Sequence, residues 1–222
     1  MAVLFNDLKL AALALAIAAG LMAHRADAQS ATETAIFAGG CFWCVEADFE
    51  KVTGVSEVVS GYTGGTLANP TYKQVSRGGT GHYEAAEIFY DPATVSYRAL
   101  LNAFFRSIDP TDAGGQFCDR GDSYRTAVFV ANEDQRAEAE AAKAAAEREL
   151  GQKIVTPILD ATPFYDAEEY HQDYYKKDEL VLTRRGPKTK ASAYKFYREA
   201  CGRDARVREL WGDAAPFADK SS

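Results

Sequence analysis

"TAIFAGGCFWCVEADFEKV", Thr34 to Val52, is the stretch whose reading decides the fold. Its first five residues are β-prone and end at Gly39-Gly40, a pair that breaks regular structure. Beyond the glycines, Phe42, Val45, Phe49 and Val52 recur at the spacing of one helical face. Cys41 therefore stands where a strand turns into a helix, and Cys44 follows it one helical turn later.

Working outward, Val55–Tyr62 and Glu84–Tyr90 read as further strands, with a long glycine-bearing loop between them. Ser96 caps a helix whose apolar stripe is Tyr97, Leu100, Leu101, Phe104, Phe105 and Ile108, a core face by its period. A polar loop, Asp109–Ser123, leads to a strand over Arg125–Ala131. An alanine-rich helix follows, capped by Asn132 and stopped near Gly151. Ile154–Leu159 reads as one more strand, and the chain then enters short helices, loops and an irregular C-terminal tail. The expectation is an α+β fold in a single domain, a mixed β-sheet packed with helices, with Cys41 at a strand-to-helix turn.

Ahead of that domain, Met1–Ala28 carries Lys9, an apolar run from Leu10 to Ala23, and the small-x-small pattern Ala26-Asp27-Ala28. This is the pattern of a signal peptide cleaved near Ala28, because the run is shorter than the roughly 18 residues a spanning helix needs. Residues 29–222 are then expected as the mature protein, periplasmic or secreted, and a monomer.

A net charge of −7 and a pI near 5.1 argue against a nucleic-acid binder, which needs a basic surface to neutralise phosphates. The basic cluster Lys176-Lys177 with Arg184-Arg185 reads as a solvated face. Four cysteines, Cys41, Cys44, Cys118 and Cys201, are too few for a disulfide-built scaffold. No metal is expected either, since Cys118 and Cys201 are isolated and no second C-x-x-C or H-x-x-x-H completes a zinc set.

Chemistry is expected at Cys41. The free N–H groups and dipole of a helix N-terminus favour thiolate, while Glu46 and Asp48 oppose it unless they point to solvent. Cys44 is close enough to attack an oxidised Cys41. A thioredoxin-like exchange reaction using both cysteines is the alternative. Phe42 and Trp43 would crowd a protein disulfide there but could wall an apolar pocket beside one thiolate. In "TGHYEAAEIFY", Thr80–Tyr90, Glu84 shares a strand face with Ala86, Ile88 and Tyr90. A carboxyl so placed loses hydration, and its pKa rises toward that of a general acid near neutrality. A module that binds through exposed Tyr62, Tyr72 and Tyr83 explains the tyrosine content but not Cys41 and Glu84.

"GGCFWCVE", "PTYKQV", "TGHYEA", "CDRGDSYRTAVF" and "FYDAEEYHQDYY" together resemble the A-type peptide methionine sulfoxide reductases, from about Ala35 to Trp211. The resemblance implies reduction of methionine S-sulfoxide, free or in oxidised proteins, with no bound cofactor and a thioredoxin-like dithiol as external reductant. It implies Cys41 as nucleophile, Phe42 and Trp43 as the methyl pocket, and Glu84 as proton donor to the sulfoxide oxygen. Tyr72 and Tyr124 would hydrogen-bond that oxygen, Asp119 would line the site, and His82 and His171 would be supporting residues. Cys201, in "YREACGRDARVRELWG", is the preferred partner for oxidised Cys41 and Cys44 the near alternative. Cys118 comes last, either relaying a disulfide or filling space under its loop.

Overall fold

Residues 32–218 are described by the computed structural model, so the stretch read as a signal peptide lies outside the described residues. Strand β1 (Glu33–Gly39) passes through the Gly40–Cys41 turn into helix α1 (Phe42–Phe49), and β2 (Val55–Thr63) follows. A short helix α2 (Tyr72–Val75) interrupts the long loop, closed by a capping box between Thr71 and Gln74. Then come β3 (Tyr83–Tyr90) and α3 (Tyr97–Phe105), whose cap Ser96 accepts a hydrogen bond from the Ala99 N–H at 3.2 Å.

The expected polar loop carries a small hairpin, β4 (Gly115–Gln116) with β5 (Asp119–Arg120). Strand β6 (Thr126–Val130) precedes α4 (Glu133–Leu150), capped by Asn132 and ended by left-handed Gly151 as the sequence indicates. The strand expected over Ile154–Leu159 is shorter and later, β7 (Ile158–Asp160). Pro157 has no N–H to give a ladder, and Ile154 is buried in the core instead. Strand β8 (Tyr165–Asp166) and the hairpin β9 (Leu180–Thr183) with β10 (Gly186–Thr189) lie in the region read as loops. The tail read as irregular carries two helices, α5 (Lys190–Ala200) and α6 (Arg203–Trp211). Alternating charged residues concealed their periodicity.

The main sheet runs β7-β6-β1-β3-β2-β8. It is mixed: β6 and β7 are parallel, and the other neighbours are antiparallel. One face carries the principal core, where Phe37, Val45, Phe49, Ile88, Leu100, Leu101, Phe104 and Trp211 bury together. Phe37 stacks on Phe104 with ring centroids 4.7 Å apart, and full burial of such side chains stabilises by roughly 1.5–3 kcal/mol each. Helix α4 buries the small stripe Ala139, Ala142 and Ala146, which lets its backbone approach closely, and packs Leu150 at the core's edge. Among the described residues no helix is long and apolar enough to cross a membrane.

Candidate active site

The Gly40–Cys41 turn is shaped by what cannot fit there. Gly40 has φ +83°, a conformation other residues rarely adopt, and a Cβ on it would stand 2.5 Å from Gln116 Cβ. Buried Arg203, the first residue of α6, donates to the Gly39 carbonyl at 2.8 Å and to the Ser107 carbonyl at 3.0 Å. Strand end and helix start are thereby held, and Cys41 becomes the residue that caps α1.

Glu84 lies on the helix-covered face of β3, paired in register with Tyr62, and is 1% exposed. Its Oε2 accepts the N–H of Phe42 at 3.1 Å, so the free donor at the helix start serves this carboxyl. Burial pushes the Glu84 carboxyl up to about 8, with the neighbouring Asp119 charge adding to the effect. Glu84 therefore keeps its proton at neutral pH. Tyr124 stands within hydrogen-bonding reach of both Glu84 and Tyr72. Burial holds the Tyr72 hydroxyl near 12 and that of Tyr124 higher still, so both remain donors.

Cys41, Phe42, Trp43, Tyr72, Glu84, Asp119, Tyr124 and Tyr197 line one cavity of about 70 Å³. At roughly 30 Å³ per water this admits a head group of a few heavy atoms. The structure thus brings together seven residues singled out in the sequence, drawn from four separate segments. It adds Tyr197, on α5, whose hydroxyl donates to the Asp119 carboxylate. Only the tyrosine's position in a segment of mixed charge pointed to it, and that is no signal.

His171 was expected to support, and its place is specific. Its Nδ1 accepts the Trp43 indole N–H at 3.2 Å, and its ring packs against Phe42 at 5.0 Å and Tyr72 at 4.4 Å. Burial lowers its pKa to about 4, so the neutral ring remains an acceptor through the physiological range. Trp43 is fixed on its other side by Tyr174, stacked at 3.8 Å. His82 lies elsewhere: its ring accepts the Gly65 N–H at 3.2 Å and meets the Leu67 carbonyl at 2.8 Å, closing the glycine-bearing loop.

The thiols depart from the helix-dipole argument. Cys41 and Cys44 are 6% and 2% exposed, with their sulfurs hydrogen-bonded to each other. Burial raises the Cys41 thiol well above its ordinary value, and the Cys44, Glu84 and Asp119 charges act in the same direction. Cys44 falls to about 7 because Cys41 hydrogen-bonds its thiolate, helped by Arg203 and Arg198. Burial and the surrounding charges thus hold the proton of Cys41, while Arg203 and Arg198 favour charge on Cys44. Glu46 and Asp48 do not point to solvent. Glu46 accepts from the Ser60 hydroxyl at 2.8 Å and the Asp173 N–H at 2.6 Å, and Asp48 pairs with Arg198 at 2.9 Å.

Cys118 and Cys201 form a disulfide that closes 83 residues of chain, with Cα atoms 4.9 Å apart. Cys118 is therefore exposed and bonded, not a filler under its loop. Cys201 is bonded to Cys118, while Cys44 rests against Cys41. The basic cluster also divides. Lys176 answers Glu50 and Asp173 at 2.9 and 2.8 Å, while Arg184 and Arg185 border a groove beside the disulfide.

Two groupings place three potential metal ligands within 4.8 Å of one another. In Cys118, Asp119 and Cys201 the two sulfurs are joined. In Glu46, Glu50 and Asp173 the negative charge is met by Lys176.

The profile of the family described as "Peptide methionine sulfoxide reductase" matches residues 33–204. A relative named "Peptide methionine sulfoxide reductase MsrA 2" from Rhizobium meliloti is 50% identical over 181 residues, 82% of this chain and 84% of the relative. "Peptide methionine sulfoxide reductase MsrA" from Ligilactobacillus salivarius is 57% identical over 148 residues, 66% of this chain and 86% of the relative. Among solved structures, reduced Mxr1 from Saccharomyces cerevisiae superposes with TM-score 0.63 at 32% identity, covering 66% of this chain and 85% of that one. Methionine sulfoxide reductase A of Corynebacterium diphtheriae gives 0.61 at 31% identity, covering 71% and 80%. With its sequence matched across the sheet, the Gly40–Cys41 turn and the start of α6, this chain belongs to the peptide methionine sulfoxide reductase family.

Proposed function

We propose that the chain reduces the S epimer of methionine sulfoxide, free or in oxidised proteins, at the Cys41 cavity. The observation that carries this reading is a buried carboxyl sharing a small aromatic-walled cavity with a buried thiol. A methylsulfinyl group fits that chemistry: an apolar methyl for Phe42 and Trp43, and an oxygen that needs a proton.

Glu84 gives its proton to the sulfoxide oxygen, while the Tyr72 and Tyr124 hydroxyls donate hydrogen bonds to the same oxygen. The substrate sulfur becomes electrophilic, and Cys41 attacks it as its proton passes to the Cys44 thiolate. Oxygen leaves with Cys41 as sulfenic acid and methionine departs. The Cys44 thiol then condenses with the sulfenic acid, forming the Cys41–Cys44 disulfide and releasing water. Cys201 and Cys118, when reduced, take over that oxidation by thiol–disulfide exchange. The described state, inner thiols with an outer disulfide, is what such a transfer leaves. A thioredoxin-like dithiol restores the outer pair. With the amino-terminal segment read as a signal peptide, that donor acts outside the cytoplasm.

The test is turnover of resolved methionine sulfoxide epimers with dithiothreitol as reductant. Wild type should consume one epimer, the S form, and Cys41→Ser neither. Reduction of insulin disulfides without sulfoxide turnover would return the site to the thiol-exchange reading.

A further inference from the structure

Tyr72 is the first residue of α2, a four-residue helix inside the long loop between β2 and β3. A helix this short has little stability of its own, and the N–H groups of its first turn have no partner within it. The Tyr72 N–H finds one far along the chain, donating to Glu168 Oε1 at 2.9 Å. The other oxygen of the same carboxylate, Oε2, accepts the Tyr62 hydroxyl at 2.9 Å. Tyr62 is fully buried on β2 and packs against Phe42 with ring centroids 5.9 Å apart. Glu168 is thus tied on one side to a tyrosine of the cavity wall and on the other to the ring behind Phe42.

Burial pushes the Glu168 carboxyl up, but hydrogen bonds from the Tyr72 N–H, its own N–H and the Tyr62 hydroxyl outweigh that and leave it below the ordinary value. It therefore accepts from both tyrosines as a carboxylate, the stronger form of acceptor. The segment that carries Glu168 is held by other bonds. The Ala167 N–H donates to the Ser60 carbonyl at 2.8 Å, and the Gln172 side chain pairs with the N–H and the carbonyl of Ser60 at 2.9 and 2.8 Å. At its far end α2 is anchored by buried Val75. Loss of the Glu168 carboxylate would therefore release the end of α2 that carries Tyr72 and leave the rest of both segments in place.

We propose that Glu168 is a positioning residue for the sulfoxide reaction, its carboxylate fixing the start of α2 so that the Tyr72 hydroxyl stands beside Tyr124 and the substrate oxygen. The inference rests on the reading above that Tyr72 donates to that oxygen. A donor helps a developing charge only if it is already aimed when the charge appears, and a misplacement of about 1 Å can cost about 100-fold. Cys41, Glu84 and the two tyrosines line the cavity and Glu168 does not, so its effect passes through Tyr72.

A double-mutant comparison separates this role from a merely structural one, with turnover of methionine sulfoxide under dithiothreitol as the activity. Because Glu84, Tyr72 and Tyr124 share the oxygen, Tyr72→Phe is expected to lower kcat about 30-fold and Glu168→Ala about as much, each with KM within about twofold of wild type. Adding Glu168→Ala to Tyr72→Phe should cost no further activity, because the hydroxyl it positions is already gone. Glu168→Gln, whose side-chain oxygen can accept the Tyr72 N–H while its amide donates to the Tyr62 hydroxyl, should recover most of the loss. Independently of catalysis, hydrogen exchange at the Tyr72 amide should be about tenfold faster in Glu168→Ala than in wild type, while the Ser60 amide, held by Gln172, keeps its protection. Should the alanine variant not fold, Glu168→Ser, too short to reach Tyr72, takes its place. Losses that multiply in the double variant, an unchanged kcat in Glu168→Ala, or unchanged exchange at Tyr72 would overturn the proposal. A wild type that reduces no sulfoxide would refute the proposed reaction, and faster Tyr72 exchange in Glu168→Ala would then still uphold the hold of Glu168 on α2.

Discussion

The two cysteine pairs of this chain are built in opposite ways. Cys41 and Cys44 are buried thiols within one helical turn, facing a cavity that admits a few atoms. Cys118 and Cys201 are joined across 83 residues, exposed at Cys118, and bordered by Arg184, Arg185 and Lys188. The contrast shows how one small domain can separate two requirements. Chemistry on a sulfoxide needs a dry site where a carboxyl keeps its proton, while reduction by a protein needs a bond at the surface.

The hardest break in that comparison is at Cys41. Cys41→Ser should reduce turnover to background, whereas Cys118→Ser should leave the first turnover intact in a rapid-quench assay, because the inner pair alone completes it. Next is Glu84→Gln, which removes the proton donor and should lower kcat by about 100- to 10,000-fold. In wild type the rate should decline as pH rises through about 8, where Glu84 loses its proton, and the variant should lose that dependence. The same residue gives a stability signature. Below 4.5, the ordinary value, both folded and unfolded chains hold the proton; between there and about 8 only the folded chain does. Folding therefore weakens as pH rises across that window, by up to ~5 kcal/mol at about 1.4 kcal/mol per pH unit. Denaturant titrations should show this slope in wild type and not in Glu84→Gln.

The sequence disclosed the inner region and concealed the outer one, for a physical reason. A strand, a glycine pair and a helical face are contiguous, so local period and breakers placed Cys41 at its turn. Alternation along β3 likewise put Glu84 on the covered face with Ala86 and Ile88. What could not be read was the balance at the thiol, because the dipole of α1 is outweighed by burial that only the assembled fold supplies. Tyr197, Arg203 and the Cys118–Cys201 bond depend on contacts between segments some 80 or more residues apart. Helices α5 and α6 were hidden for a related reason. Their buried residues include Lys190, Arg198 and Arg203, charged side chains that a hydrophobic pattern counts as surface.

Smaller effects sharpen the comparison. Loss of the outer disulfide should destabilise by about 2–4 kcal/mol, since it closes a long loop in the unfolded chain. Chemical unfolding of Cys118→Ser should show this shift, and Cys44→Ala should not share its dependence on reductant. The smallest expected change is at His171. Replacing it with Leu removes the acceptor of the Trp43 N–H, worth about 1 kcal/mol. KM for a sulfoxide peptide should rise about fivefold with kcat little altered, and the Trp43 fluorescence should shift. His171→Asn, which retains an acceptor, should recover part of the loss.

The claim that oxidation begins at the inner pair and ends at the outer one is tested most directly by a single turnover of fully reduced enzyme. One equivalent of methionine sulfoxide is added without reductant, samples are quenched over time, and disulfides are mapped by peptide mass analysis. The account predicts Cys41–Cys44 first, followed by Cys118–Cys201 as the inner link disappears. A first product joining Cys41 to Cys201, with Cys44 still free, would contradict it.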